Sequence, residues 1–67
     1  MISVMQFGES DREIHSAVET AGYWQRRGQD CLLLQDGSKM ILASIEEYRR
    51  SDKLERLEVI EYFGAIK

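Results

Sequence analysis

The 67-residue sequence contains no proline, one cysteine and one histidine, and each scarcity limits what the chain can do. A single cysteine, Cys31, cannot form an internal disulfide, which is typical of a reducing compartment, and we expect a cytoplasmic protein. Cys31 and His15 alone fall short of the four ligands of a structural zinc site, so we expect no metal. No phosphate-binding glycine loop is present, so we expect no cofactor.

Long apolar runs and a strong charge of one sign are also missing. No apolar run approaches the ~18 residues of a transmembrane helix. Residues 1–4 lack the positive region and long apolar stretch of a signal peptide, so we expect none. The net charge is -3, from 9 basic and 12 acidic side chains. Because neither half of the chain is a basic block, contact with nucleic acid would need a local patch, or a dimer that joins two patches.

Groups suited to catalysis are equally scarce. Glu19 lies one helical turn after His15, and proton transfer needs a group that orients and tunes the imidazole. Cys31 opens a leucine-rich run, which is typical of a buried thiol without reactivity. We therefore predict no catalytic residues and no enzymatic activity.

What the chain does have is a normal apolar content, 43% of its residues, which is enough for one small domain spanning residues 1–67. A domain of this size buries only about 60% of the surface of its unfolded chain. Its own core supplies roughly 3–5 kcal/mol of stability. We therefore expect a homodimer.

Local signals in the first half predict a strand followed by a helix. Residues 1–7 are mostly apolar and predict an edge or dimer-facing strand that ends at Gly8. Ser10 and Glu13 have the spacing of a capping box, and Gly28 can close a helix. A helix over about 11–27 is indicated by apolar side chains at helical spacing, namely Ile14, Ala17, Val18, Ala21 and Trp24.

The second half predicts an antiparallel hairpin and a further helix. Two apolar runs, residues 31–35 and 39–43, flank Asp36-Gly37, a typical two-residue hairpin signal. The unbroken run of residues 31–34 predicts a strand covered on both faces, by a partner subunit or by both helices. Ser44 and Glu47 form a second capping box, so a helix begins at residue 45.

The end of the chain has two interpretations. Apolar side chains recur every three residues from Leu54 to Phe63, and we favour a helix to about residue 57, with Asp52 as a cap where it restarts. Residues 57–66 are also rich in β-branched and aromatic side chains, which leaves open a last C-terminal strand. The prediction is a small α+β domain of order β-α-β-β-α.

Two sets of side chains are candidates for binding. Arg26 and Arg27 end the first helix and could contact DNA, although they also complement the helix dipole. Residues 51–67 carry apolar side chains that so small a domain cannot bury alone, which indicates a partner-binding segment. The candidate residues there are Leu54, Leu57, Ile60, Tyr62 and Phe63.

Residues 37–48, with the sequence GSKMILASIEEY, resemble the Phd/YefM family of type II antitoxins, in which a glycine turn and an apolar strand lead into a similar helix start. Residues 2–4, followed by Phe7 and a helix, are similar to the first strand and helix of that family. The resemblance covers about residues 1–50 and matches at Arg12 and at residues 44–48. It implies a dimer whose sheets pair across the two-fold axis, with operator DNA bound by the N-terminal half, Arg12 included, and a toxin bound by the C-terminal segment.

Three classes of function follow from these observations. The first is an antitoxin-like regulatory protein that binds and neutralises a partner protein and can bind its own operator. The second is a small phage or mobile-element inhibitor that binds a host protein and no DNA, which the acidic charge and small size also fit. The third is a structural or assembly subunit. A shift of its own promoter DNA would separate the first class from the other two.

Overall fold

A computed structural model of the protein describes residues 3–66, which form three helices and a four-stranded antiparallel sheet. The small α+β domain predicted above is therefore confirmed. The elements, in chain order, are β1 (Val4–Gly8), α1 (Asp11–Arg26), β2 (Cys31–Asp36), β3 (Lys39–Ser44), α2 (Ile45–Arg50), α3 (Asp52–Glu55) and β4 (Glu58–Phe63).

The strands lie side by side in the order β1-β3-β2-β4, so the β2–β3 hairpin forms the centre of the sheet. In the register, Val4 lies opposite Ala43 on one side of the hairpin, and Cys31 lies opposite Phe63 on the other. β1 and β4 are the two edge strands. The prediction of an edge strand near the N-terminus is confirmed for Val4–Gly8, while residues 1 and 2 lie outside the described residues.

The hairpin forms as predicted, but its loop lies one residue further along the chain. Asp36 still pairs with Lys39, so the two loop residues are Gly37 and Ser38. Gly37 has φ of +60°, and Asp36 has a negative φ like every other non-glycine residue described. A positive φ at the first loop position alone is the pattern of a type II′ turn, which glycine adopts without a Cβ clash.

Helix α1 is capped by Ser10, whose hydroxyl accepts a hydrogen bond from the Glu13 amide at 3.3 Å. Three residues of its predicted apolar stripe are buried against the sheet: Ala17, Ala21 and Trp24. The other two remain in water, since Ile14 is 38% and Val18 is 46% exposed. The helix therefore buries a narrower stripe than its sequence indicates, because its neighbours cover only one side of it.

Strand β2 is covered on both faces, and the helices provide the cover. Cys31 and Leu33 point into a cluster that contains Ala17, Ala21 and Trp24 of α1. Their neighbours, Leu32 and Leu34, alternate to the other face, as side chains in a strand must. There they pack in a second cluster with Leu54 and, at its margin, Ile45, Tyr48 and Leu57. The sequence left open whether a partner subunit or the helices would cover this strand, and the structure shows the helices.

The helix predicted to run from residue 45 to about 57 is interrupted after Arg50. Ser44 caps α2 as predicted, accepting from the Glu47 amide at 3.2 Å. The restart is capped by Ser51 and not by Asp52, because the Ser51 hydroxyl accepts from the Leu54 amide at 3.2 Å. α3 lasts one turn, which is enough to place Leu54 over the second cluster, and the chain then enters β4. The last C-terminal strand, left open above, is present.

Candidate functional site

The surface that stands out is β4, which we call the β4 surface and define as residues 58–62. β4 pairs with β2 along one edge, and no further strand of the described residues lies beyond it. Its first five residues are exposed. Three of them are large and apolar: Val59 is 45%, Ile60 42% and Tyr62 56% exposed. An unpaired strand edge with apolar side chains is a common template for binding another chain.

A β-bulge gives the β4 surface two different faces. The register pairs Glu58 with Gln35 and Val59 with Leu34, and then shifts, so that Glu61 lies opposite Leu33. Ile60 is the extra residue of the bulge. Paired residues share a face of the sheet, so both glutamates lie on the face that α1 covers. Without the bulge, residues three apart would lie on opposite faces.

The opposite face of the β4 surface is apolar. Val59 pairs with Leu34 and Tyr62 pairs with Leu32, and both leucines belong to the cluster under α2 and α3. Val59 and Tyr62 therefore lie on the same face of the sheet as that cluster and are exposed to solvent. The β4 surface thus presents an acidic face and an apolar face on one open strand.

Contacts distant in sequence hold the end of β4 in place. The Tyr62 hydroxyl donates to Oδ2 of Asp30 at 3.1 Å, and the Ala65 amide donates to Oδ1 of the same carboxylate at 2.9 Å. The hydrogen bond to Asp30 is the main reason that the pKa of Tyr62 is raised. Gln25 adds two bonds, its side-chain Nε2 donating to Gly64 and its carbonyl accepting from the Ile66 amide at 3.0 Å.

Of the five residues predicted to bind a partner, the structure exposes two. Ile60 and Tyr62 lie on the β4 surface. Leu54 is buried, and Leu57 packs against the same cluster, because α3 turns both toward β2. Phe63 is half-buried against the α1 cluster. These three serve the domain's own core.

Two residues that form or support the β4 surface were not predicted from the sequence, namely Val59 and Asp30. The exposure of Val59 follows from its place on an edge strand. The apolar composition of residues 57–66 was the signal in the sequence that could have identified it. Asp30 lies in an ordinary polar loop, 32 residues before Tyr62. No local pattern marks a contact of that separation.

The arginines predicted to contact DNA do not form one patch. Arg12 lies in the first turn of α1 and Arg26 in the last, about 20 Å apart at ~1.5 Å per residue. Arg12 also lies between Asp11 and Glu13. Arg27 donates to the Tyr23 hydroxyl at 2.8 Å and stacks over that ring, 5.5 Å from its centroid. Within one chain, these three cations therefore do not converge on a phosphate.

The remaining polar groups offer little chemistry. His15 is highly exposed and its Nε2 lies 2.8 Å from Glu19, a surface contact. Burial raises the pKa of the Cys31 thiol to about 11, with the nearby Asp30 charge adding to the effect, so the thiolate is disfavoured. No three His, Cys, Asp or Glu side chains in residues 3–66 are grouped to hold a metal.

One open cleft of about 570 Å³ lies between the α1–β2 loop and the start of α2. Its lining is Arg27, Gly28, Gln29, Asp30, Ser44, Ile45 and Glu46. The cleft brings together one arginine and two carboxylates, and the hydroxyl of its serine accepts the hydrogen bond that caps α2.

The fold and surface define the class of the protein: a small α+β domain with a four-stranded antiparallel sheet, helices on both faces and an exposed edge strand. Comparison with protein-family models, with curated proteins and with solved structures finds no match. No helix in the described part of the chain is long and apolar enough to cross a membrane.

Proposed function

We propose that this protein is an antitoxin-like regulatory protein that binds a partner protein through the β4 surface. The observation that supports it is the open edge of β4, with Val59, Ile60 and Tyr62 exposed in the segment expected to bind a partner. Strand edges bind other chains through main-chain hydrogen bonds, and exposed apolar side chains add buried area. Residues 44–48, which carry the resemblance to antitoxins, form the capped start of α2.

A homodimer is part of this proposal, and the other edge of the sheet suits it. β1 carries no charged side chain over Val4–Gly8, and Val4 is exposed. Pairing of two β1 strands across a two-fold axis would therefore meet no charge repulsion. It would leave both β4 surfaces free for the partner protein.

A second candidate, an inhibitor that binds a host protein and no DNA, is favoured by the arrangement of the arginines. Arg12 is separated from Arg26 and Arg27 by the length of α1, and Arg27 is occupied by Tyr23. The net charge of -3 further opposes association with DNA. The two candidates share the β4 surface and differ only in operator binding.

The test is affinity capture of the tagged full-length protein from its native cells, with mass spectrometry of the eluate. Replacing Ile60 by aspartate places a charge in the centre of the β4 surface and should abolish capture of a stoichiometric partner. Val18→Asp is the matched control, because Val18 is equally exposed but lies on α1, and it should retain the partner. Capture that both variants retain, or that both lose, would contradict the assignment to β4.

Operator binding is decided by a gel-shift titration of the wild-type protein with its own promoter DNA at low salt. A shift that an Arg12→Ala variant loses supports the antitoxin-like protein. No shift, together with capture of a partner that depends on Ile60, supports the inhibitor.

A further inference from the structure

We infer that the β4 surface receives a short extended segment of a basic partner protein as an added strand, with cationic and apolar side chains alternating along it. This inference rests on the proposed function and specifies the chemistry of the partner. It follows from three features of β4: an open edge, two glutamates on one face, and apolar side chains on the other.

The open edge provides the main-chain groups for pairing. β4 has six residues, and β2 takes up the hydrogen bonds of only one of its edges. Asp30 and Gln25 fix the end of the strand to the rest of the domain. The edge is therefore held in an extended conformation before binding, which lowers the entropy lost when another strand pairs with it.

The charges select a cationic occupant. Glu58 and Glu61 lie on one face of β4 because of the bulge at Ile60. Among residues 3–66, neither carboxylate has a cationic nitrogen within 4.0 Å, and the salt bridge that does meet this limit joins His15 to Glu19. Opposite charges on adjacent strands stabilise pairing and like charges destabilise it. Lysine or arginine side chains opposite Glu58 and Glu61 would satisfy both glutamates.

The apolar face of β4 is the reason that the partner segment should alternate basic and apolar residues. Val59 and Tyr62 lie on the face opposite to the two glutamates, next to Leu34 and Leu32. A strand that alternates basic and apolar residues presents its cations to the acidic face and its apolar side chains to Val59 and Tyr62. A uniformly basic segment would leave the apolar face in water.

The same charges disfavour a second copy of this chain at β4. Antiparallel pairing of two β4 strands brings four glutamates onto one pair of strands, two from each copy. Like charges on adjacent edge strands are a common protection against self-association. The uncharged β1 edge lacks this protection, so the two edges of the sheet suit different occupants.

The experiment uses the ¹⁵N-labelled full-length protein and a terminally blocked Lys-Val-Lys-Val-Lys-Val peptide as the probe. We expect amide shifts concentrated in Glu58–Phe63. A blocked Lys-Lys-Lys-Val-Val-Val peptide of the same composition should bind about 3- to 10-fold more weakly, since it cannot match both faces. An alternating peptide with N-methylated amides should not bind, because it cannot form the main-chain bonds.

Two double variants test the role of the glutamates. Glu58→Gln with Glu61→Gln should weaken binding of the alternating peptide by about 3- to 10-fold. Glu46→Gln with Glu55→Gln removes the same charge from exposed positions on the helices and should leave binding within about twofold.

Several results would overturn the inference: equal weakening in both double variants, shifts outside β4, or no shifts at millimolar peptide. Shifts of β4 amides that depend on protein concentration without peptide would assign the edge to a second copy instead. None of these results would affect the proposed function, because capture of a partner that depends on Ile60 is measured independently of the peptide.

Discussion

The buried thiol of Cys31 makes the stability of this domain depend on pH in the alkaline range. Burial first, and the Asp30 charge second, raise the pKa of Cys31 from 9.0 to about 11. In the unfolded chain the thiol keeps its ordinary pKa. Between these two values the unfolded state releases a proton that the folded state keeps, so the free energy of unfolding falls as the pH rises.

The size of the effect follows from the two pKa values. At pH 8 the thiol is protonated in both states and contributes almost nothing to the pH dependence. At pH 10 the unfolded thiol is mostly ionised and the folded thiol mostly protonated, which removes about 1 kcal/mol of stability. Well above pH 11 the loss approaches about 3 kcal/mol. For a core that supplies roughly 3–5 kcal/mol, this loss is large.

The assay is urea denaturation followed by Trp24 fluorescence, on the wild type and on Cys31→Ala at pH 8, 9 and 10. Tyrosine and lysine titrations are common to both proteins, so the difference between their stabilities isolates the thiol. That difference should shift by about 1 kcal/mol against the wild type between pH 8 and pH 10. A difference that stays constant with pH would refute the reasoning, because it would show a thiol with the same pKa in both states.

Two further predictions concern the core and the attachment of β4. Leu34 is fully buried, so Leu34→Ala should lower the free energy of unfolding, measured by urea denaturation, by about 2–5 kcal/mol. Val59 is the exposed member of the same cross-strand pair, so Val59→Ala should lower it by less than about 1 kcal/mol. Equal costs would contradict the placement of β4 at the sheet edge. Asp30→Ala should lower the pKa of Tyr62 toward its ordinary value in an absorbance titration, because Asp30 accepts the hydrogen bond that stabilises the protonated phenol. An unchanged titration would show that the hydrogen bond is absent in solution.

The central part of the fold could be predicted because its signals are local. The caps at Ser10 and Ser44 depend on a hydroxyl and an amide three residues apart, and both form. The run from Cys31 to Leu34 indicates burial on both faces, which requires two covering layers in any fold that contains it. The helices provide those layers, although a partner subunit would have satisfied the same sequence.

The features that sequence reasoning missed depend on contacts between distant residues. The exposure of Ile14 and Val18 is set by how far the sheet extends beneath α1, which the helix pattern does not contain. The role of Asp30 depends on β4 returning to the start of β2, so that its carboxylate meets Tyr62 and Ala65. Both are properties of the assembled sheet.

The end of the chain shows how a local pattern can favour the wrong element. Apolar residues at a spacing of three, from Leu54 to Phe63, are typical of a helix, yet most of this stretch is strand. One turn of α3 places Leu54 and Leu57 together in the second cluster. The extra residue of the bulge, Ile60, then shifts the alternation by one, so that Phe63 pairs with Cys31 on the α1 face, opposite to the cluster that contains Leu57.

The same shift produces the acidic and apolar faces of β4. In a regular strand, Glu58 and Glu61 would lie on opposite faces, and so would Val59 and Tyr62. With the bulge, each pair is united on its own face. The bulge at Ile60 therefore places the charged side chains of β4 on one face and the apolar ones on the other. A partner strand that contacts both faces must alternate charged and apolar residues.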